Sequence, residues 1–177
     1  MDFKTTDGGL LVPDHKLVIG GRFFGRIFRD DELIAEFEDA NLVTNEGLNY
    51  LLNAGVAGAG QLTNWYVGLF SGNYTPQATD IAANIATNST EWTGYSESGR
   101  QAYTAPVTTT QSLTNSAAAA TFTQSSAGTI YGAFIVSSAT KGGTTGTLLA
   151  AAQFSSAKTV APGDLLVMTY TVGASSS

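Results

Sequence analysis

The rhythm of hydrophobic and polar residues changes along the chain, and the changes mark out its elements. Leu48, Leu51 and Leu52 recur at three- and four-residue spacing and predict one amphipathic helix over residues 45–54. Thr44 stands before it as an N-cap, and Glu46 lies in its first turn. Val43 and Leu48 have the spacing of a hydrophobic staple, and Gly55 is placed to end the helix in a left-handed cap. The period then shortens. Trp65-Tyr66-Val67-Gly68-Leu69-Phe70 is a brief aromatic and β-branched run, expected as a buried strand.

Upstream, residues 16–29 and 32–40 predict a hairpin across Asp30-Asp31. A two-residue loop pairs Phe28 with Leu33, Phe24 with Phe37 and Arg22 with Asp39, the apolar, aromatic and ionic pairs that sheets favour. Asp-Asp is not a preferred sequence for so tight a turn. Residues 1–14 read as an arm whose apolar triplet, Leu10, Leu11 and Val12, follows an Asp7-Gly8-Gly9 turn and needs a partner surface.

Downstream, residues 77–90 are polar, with Ile81 and Ile85 enough for one helical turn. Trp92 and Tyr95 follow, read as aromatics that plug the open end of a sandwich, with sugar stacking as the alternative. Residues 101–107 form an edge strand because of Pro106. Residues 117–124 alternate around Phe122. Residues 129–138 are apolar on both faces and therefore central. Residues 147–154 return after a Gly-rich turn, and Ala161-Pro162-Gly163-Asp164 is a tight turn. The last strand, residues 165–172, places Leu166, Met168, Tyr170 and Val172 on one face. The sum, about eight strands and one helix, predicts an all-β fold, a jelly-roll-like antiparallel β-sandwich. The expected division is an arm and charged hairpin in residues 1–40, making intermolecular contacts, and a sandwich in residues 41–177 that folds alone.

Charge sharpens that division. Residues 1–46 hold 15 of the 22 Lys, Arg, Asp and Glu residues; the remaining 131 residues hold seven, far below the usual quarter. The surface of the second part is therefore made of Ser, Thr, Ala, Gly, Asn and Gln. Such a surface suits a protein covered by neighbours or built into a robust particle, and equally a secreted β-protein. Net charge is −6, which opposes binding to a phosphate backbone. Arg22, Arg26 and Arg29 form a row, but Glu32, Glu36, Glu38 and Asp39 offset it, so no nucleic-acid partner is expected. No run has the length of a membrane span, and the first residues lack the basic-then-apolar pattern of a signal peptide.

Catalytic chemistry finds little material. With no cysteine and a single histidine, His15, neither a disulfide nor a zinc site is expected, and no metal or other cofactor is assigned. There is no Gly-x-Ser-x-Gly elbow and no phosphate-binding loop. Glu91 and Glu97 flank Trp92 and Tyr95, and a hydrolase would need that pair to converge in a cleft. Asn73-Tyr74-Thr75 and Asn88-Ser89-Thr90 match glycosylation sequons, which matter only in a secretory setting.

Several runs, in order, carry a family likeness. Asn41-Leu42-Val43-Thr44-Asn45-Glu46-Gly47, the Trp65–Phe70 run, Asn73-Tyr74-Thr75-Pro76, Ile130-Tyr131-Gly132-Ala133-Phe134 and Pro162-Gly163-Asp164-Leu165-Leu166 resemble the head cement, or decoration, proteins of tailed bacteriophages, the short-tailed kind in particular. The resemblance covers residues 41–173. It implies a non-enzymatic, jelly-roll-like virion protein on the outer surface of the phage head, binding the major capsid protein across capsomer boundaries and itself paired as a dimer. Interface candidates come from the front end: Leu10, Leu11, Val12, Arg22, Phe23, Phe24, Arg26 and Phe28. Two other classes stay open. One is a carbohydrate-binding or fibre-type adhesion module using Trp92, Tyr95 and Tyr74. The other is a hydrolase using Glu91 and Glu97.

Overall fold

Strand β1 (Leu17–Arg29) turns through Asp30-Asp31 into β2 (Glu32–Ala40), and a short β3 (Leu42–Val43) leads into helix α1 (Asn45–Gly55). Then come β4 (Trp65–Phe70), helix α2 (Ala82–Asn88), β5 (Gln101–Tyr103), β6 (Ser112–Thr114), β7 (Ala120–Thr123), β8 (Gly128–Val136), β9 (Leu148–Val160) and β10 (Leu165–Ser176). This computed structural model describes residues 17–176. The strands form two antiparallel five-stranded sheets. One is ordered β2-β1-β10-β6, with β7 also on β10; the other is ordered β3-β9-β8-β4-β5. The first and last strands are neighbours along twelve residue pairs.

The sheets face each other across one apolar layer. Phe23 and Ile27 of β1, Phe122 of β7 and Leu166, Met168 and Tyr170 of β10 meet Val67, Leu69, Ile130, Ile135 and Phe154 of the opposite sheet. Each large side chain so buried contributes ~1.5–3 kcal/mol over exposure. Tyr170 stacks on Phe23 at 4.7 Å and, edge-on, on Tyr103 at 5.5 Å, joining the sheets. As expected, β8 is central and apolar on both faces. Its outward Phe134 and Val136 pack with Phe70, Leu148 and α2 in a second layer. The fold is thus an all-β sandwich with short helices.

Thr44 caps α1 as expected: its hydroxyl accepts from Gly47 N at 3.1 Å and donates to Leu148 O at 2.8 Å. Three expectations for the helices are corrected. The left-handed residue is Gly58, not Gly55, because α1 runs through Gly55 and ends with Val56 N donating to Leu52 O. Of the three leucines, Leu48 and Leu51 lean on the core, while Leu52 is 55% exposed. The helix approaches β9 through Gly47, where a Cβ would lie 2.3 Å from Leu149 O, so the contact face is centred before Leu52. A second helix, α2, forms around Ile85, while Ile81 precedes it and is exposed. Too short to be stable alone, α2 gains its stability by packing on the sheet.

The hairpin turn has two residues, and Asp30 and Asp31 both take positive φ (50° and 65°), the primed-turn geometry. Phe28 pairs with Leu33 as expected, but the other two pairs are wrong. A bulge at Ile34 slips the register by one, so Phe37 faces Gly25, Glu38 faces Phe24 and Ala40 faces Arg22. The slip turns Phe37 inward onto Phe154, 4.7 Å between rings, and lays it over the bare Cα of Gly25. Asp39 turns inward too, accepting from Ser155 N at 2.7 Å.

The division at residue 40 is also corrected. Strand β1 lies between β2 and β10, and Phe23, Ile27 and Phe37 belong to the main core. The hairpin is part of the sandwich, because its alternate residues have no other apolar surface to meet. Leu10, Leu11 and Val12 lie outside the described residues.

Candidate interaction surface

The loops between the sheets contain the acids and aromatics that a catalytic or sugar-binding reading needs, and their side chains serve the fold. Glu91 takes both carboxylate bonds from Arg100, Nε at 2.9 Å and Nη2 at 2.7 Å. Glu97 accepts from Thr123 N at 2.9 Å. The two carboxylates are therefore occupied with separate backbone and side-chain partners. Asp80 accepts from the Tyr74 hydroxyl at 2.8 Å and from Gln77 N at 2.8 Å. Its negative charge and the burial of the ring push the Tyr74 phenol up, burial being the larger cause. Lys141 donates to Tyr95 O at 2.9 Å and lies over the Tyr95 ring; Lys158 lies over Phe37.

Asp164 closes the set. It receives two bonds from Arg29 at 2.8 Å each and one from Ala161 N. The Arg29 guanidinium holds its carboxyl below the usual range and is itself raised in turn. Six of the seven charged residues of the charge-poor part thus hold loops and turns, and the seventh, Lys158 of β9, covers the Phe37 ring.

The loop aromatics plug the sandwich. Tyr95 is buried edge-on against Phe122, 4.9 Å between centroids, and burial pushes its phenol up. Trp92 leans on the core and donates from Nε1 to Gln124 at 2.8 Å. Tyr103 is pushed up to about 12 by burial alone. Trp65 packs edge-on against Tyr50 of α1. Trp92, Tyr95 and Tyr74 do not form an exposed row at sugar spacing.

One broad face remains open. In β1, Arg22, Phe24, Arg26 and Phe28 alternate with the inward Phe23, Gly25 and Ile27. Their partners on β10 are Thr171, Thr169, Val167 and Leu165, which share the same outward face. On β2 the matching positions are Ala40, Glu38, Glu36 and Leu33. Arg26 sits between two rings, 5.8 Å from Phe24 and 5.9 Å from Phe28, a stacked cation–aromatic stripe. Arg22 pairs with Glu38 at 2.9 Å, not with Asp39. Among the described residues no helix or strand lies over this face, whereas the outer face of the other sheet is covered by α2.

Four of the sequence-predicted interface residues, Arg22, Phe24, Arg26 and Phe28, therefore share one outward stripe. Phe23 does not. It points into the core and is fully buried, so it is corrected from contact residue to core residue. Leu33 and Ile34, 51% and 45% exposed, extend the face at the bulge and were not singled out from sequence. The signal that finds them is strand parity, once the register is known. Among the described residues no cluster of three or more His, Cys, Asp or Glu is placed to hold a metal ion, and no helix is long and apolar enough to cross a membrane.

In comparisons with known proteins, no family model and no curated protein matches the chain.

Proposed function

We propose that the protein is a non-enzymatic structural virion protein that binds the outer capsid lattice of a tailed phage across capsomer boundaries. The observation that carries this reading is the uncovered stripe Phe24–Arg26–Phe28, bordered by Thr171, Thr169, Val167 and Leu165 of β10 on one side and by Ala40, Glu38, Glu36 and Leu33 of β2 on the other. Aromatics and Arg are among the residues enriched at protein interfaces. The partner of that face is the major capsid protein, and a second copy of this chain completes a dimer that spans two capsomers. The family likeness over residues 41–173 supplies the class of partner.

Mass action gives the mechanism. A protein that binds two capsid subunits only in the assembled shell stabilises the shell against free subunits. Weak contacts suffice, because two-site attachment multiplies them. The surplus of acids places such a protein better outside the shell than against DNA.

The test is a virus lacking the protein. Its particles assemble but release DNA on heating at lower temperature than wild type. Adding back the protein restores stability, and adding back Phe24→Ser/Phe28→Ser does not, although that variant folds. If the protein copurifies with no particle, or the depleted particles are as stable as wild type, the proposal is wrong.

A further inference from the structure

The outer side of α1 carries a row of amides. Asn45, Asn49 and Asn53 recur every fourth residue and so lie one above the other, on the side of the helix turned away from the Gly47 contact with β9. All three are exposed, and among the described residues their side chains have no hydrogen-bond partner. Each amide is therefore left with an acceptor oxygen and two donors. Helix stability does not account for the row: Asn is a weak helix former, and exposed helical positions are better filled by Ala, Glu or Lys. The row forms one wall of an open hollow of ≈620 Å³, completed by Tyr50 of the same helix and by Thr79 and Thr147 of neighbouring loops. The one charged residue of the lining, Glu46, is tied back through Oε2, which accepts from Ala82 N at 2.8 Å and Leu148 N at 2.6 Å. The Tyr50 hydroxyl accepts from Leu62 N at 2.9 Å, and its ring meets Trp65 edge-on at 5.2 Å. Beyond that ring contact lies a second hollow, of ≈300 Å³, lined by the cross-strand pair Trp65 and Tyr103 with Asn64 and Thr104. Neither hollow is lined by Lys or Arg.

We propose that the two hollows are a binding site for a neutral oligosaccharide. A sugar hydroxyl both donates and accepts, which matches an amide that carries both functions. The rings of Tyr50, Trp65 and Tyr103 add apolar surface for the C–H faces of the sugar rings, and the amides fix their orientation, the usual division of labour in a small-ligand site of ~300–1,000 Å³. With no cation in the lining and the Glu46 carboxylate at its back, the site turns away sugars that carry sulfate or carboxylate groups. The hollows lie on either side of the Tyr50–Trp65 contact, so the ligand that fills both has more than one sugar unit. The site uses none of Trp92, Tyr95 and Tyr74, and it shares no residue with the Arg22–Phe28 stripe. The inference does not depend on the function proposed above, and neither outcome of the virus experiment bears on it.

The test is binding of the full chain to an array of immobilised neutral oligosaccharides of glucose, galactose, mannose and N-acetylhexosamines, with heparin and polysialic acid on the same array. The expected result is retention by at least one neutral probe and by neither acidic one. The best-retained neutral probe is then titrated into wild type and Asn49→Ala/Asn53→Ala. The variant is expected to lose about tenfold or more in affinity, as the removal of two ligand-bonding amides requires. Its melting temperature is expected to stay level or rise, because alanine is the better helix former, so the loss of binding is not a loss of fold. Retention by no neutral probe, retention by the acidic probes, or equal affinity of variant and wild type each overturns the proposal.

Discussion

Arg100 and Glu91, nine residues apart in the chain, form a bidentate ion pair with 1% and 3% of their side chains exposed. Arg100 gives two further N–H groups to Ser138 O and Gly143 O, and Glu91 also accepts from Gly142 N. Two loops are thereby clamped to each other, and the guanidinium lies 5.1 Å from the Phe134 ring. Arg100→Met leaves a buried carboxylate without its partner, which is expected to cost ~3–5 kcal/mol. Chemical denaturation of wild type and variant measures it. A loss below about 1 kcal/mol would mean that the loops carry the pair, not the reverse.

Gly47 tests how α1 is seated. Alanine is the better helix former by ~1 kcal/mol, so propensity alone predicts that Gly47→Ala stabilises. The added Cβ meets the Leu149 carbonyl at 2.3 Å, and strain from overpacking typically costs ~1–3 kcal/mol. The expected outcome is a lower denaturation midpoint, with Thr44→Ala costing a further ~1 kcal/mol from the lost cap.

Deleting residues 1–40 is expected to unfold the protein. The deletion removes Phe23, Ile27 and Phe37 from the core and strips β10 of its longest neighbour. Three such side chains at ~1.5–3 kcal/mol each are comparable with a whole domain's margin of ~5–15 kcal/mol. Circular dichroism of the truncated chain checks this; a native β spectrum with a cooperative melt would contradict it.

Acid should weaken the clamp at the closing turn. Arg29 and Ala161 N hold Asp164 below its unfolded pKa, so the folded state binds its proton less readily than the unfolded state. The sign follows: the stabilisation is full above the ordinary carboxylate range and fades as pH falls through it toward the depressed value. Melting temperature of wild type should therefore drop more between pH 7 and pH 3 (roughly the window around a model carboxylate) than that of Asp164→Asn. Parallel pH profiles for the two would remove Asp164 from the account.

The sequence by itself determined what neighbouring residues settle among themselves. Thr44 caps a helix because its hydroxyl reaches a backbone N–H three residues on. Pro162 and Gly163 turn the chain because of their own φ preferences, and Asp164 N closes that turn on Ala161 O. Strands β8 and β10 were legible from their apolar spacing, as was the parity that puts Arg22, Phe24, Arg26 and Phe28 on one face. Only the tertiary structure decided the rest. The bulge at Ile34 gains its stability when Phe37 reaches Phe154 across the sandwich and Gly25 beneath it, contacts that no local pattern contains. The second helix exists because the outer face of β8 gives Ile85 somewhere to be buried. Phe23 and Phe24, adjacent and chemically alike, part company for the same reason. One faces the opposite sheet and the other faces out, and the difference lies in which side of the sheet the rest of the chain covers.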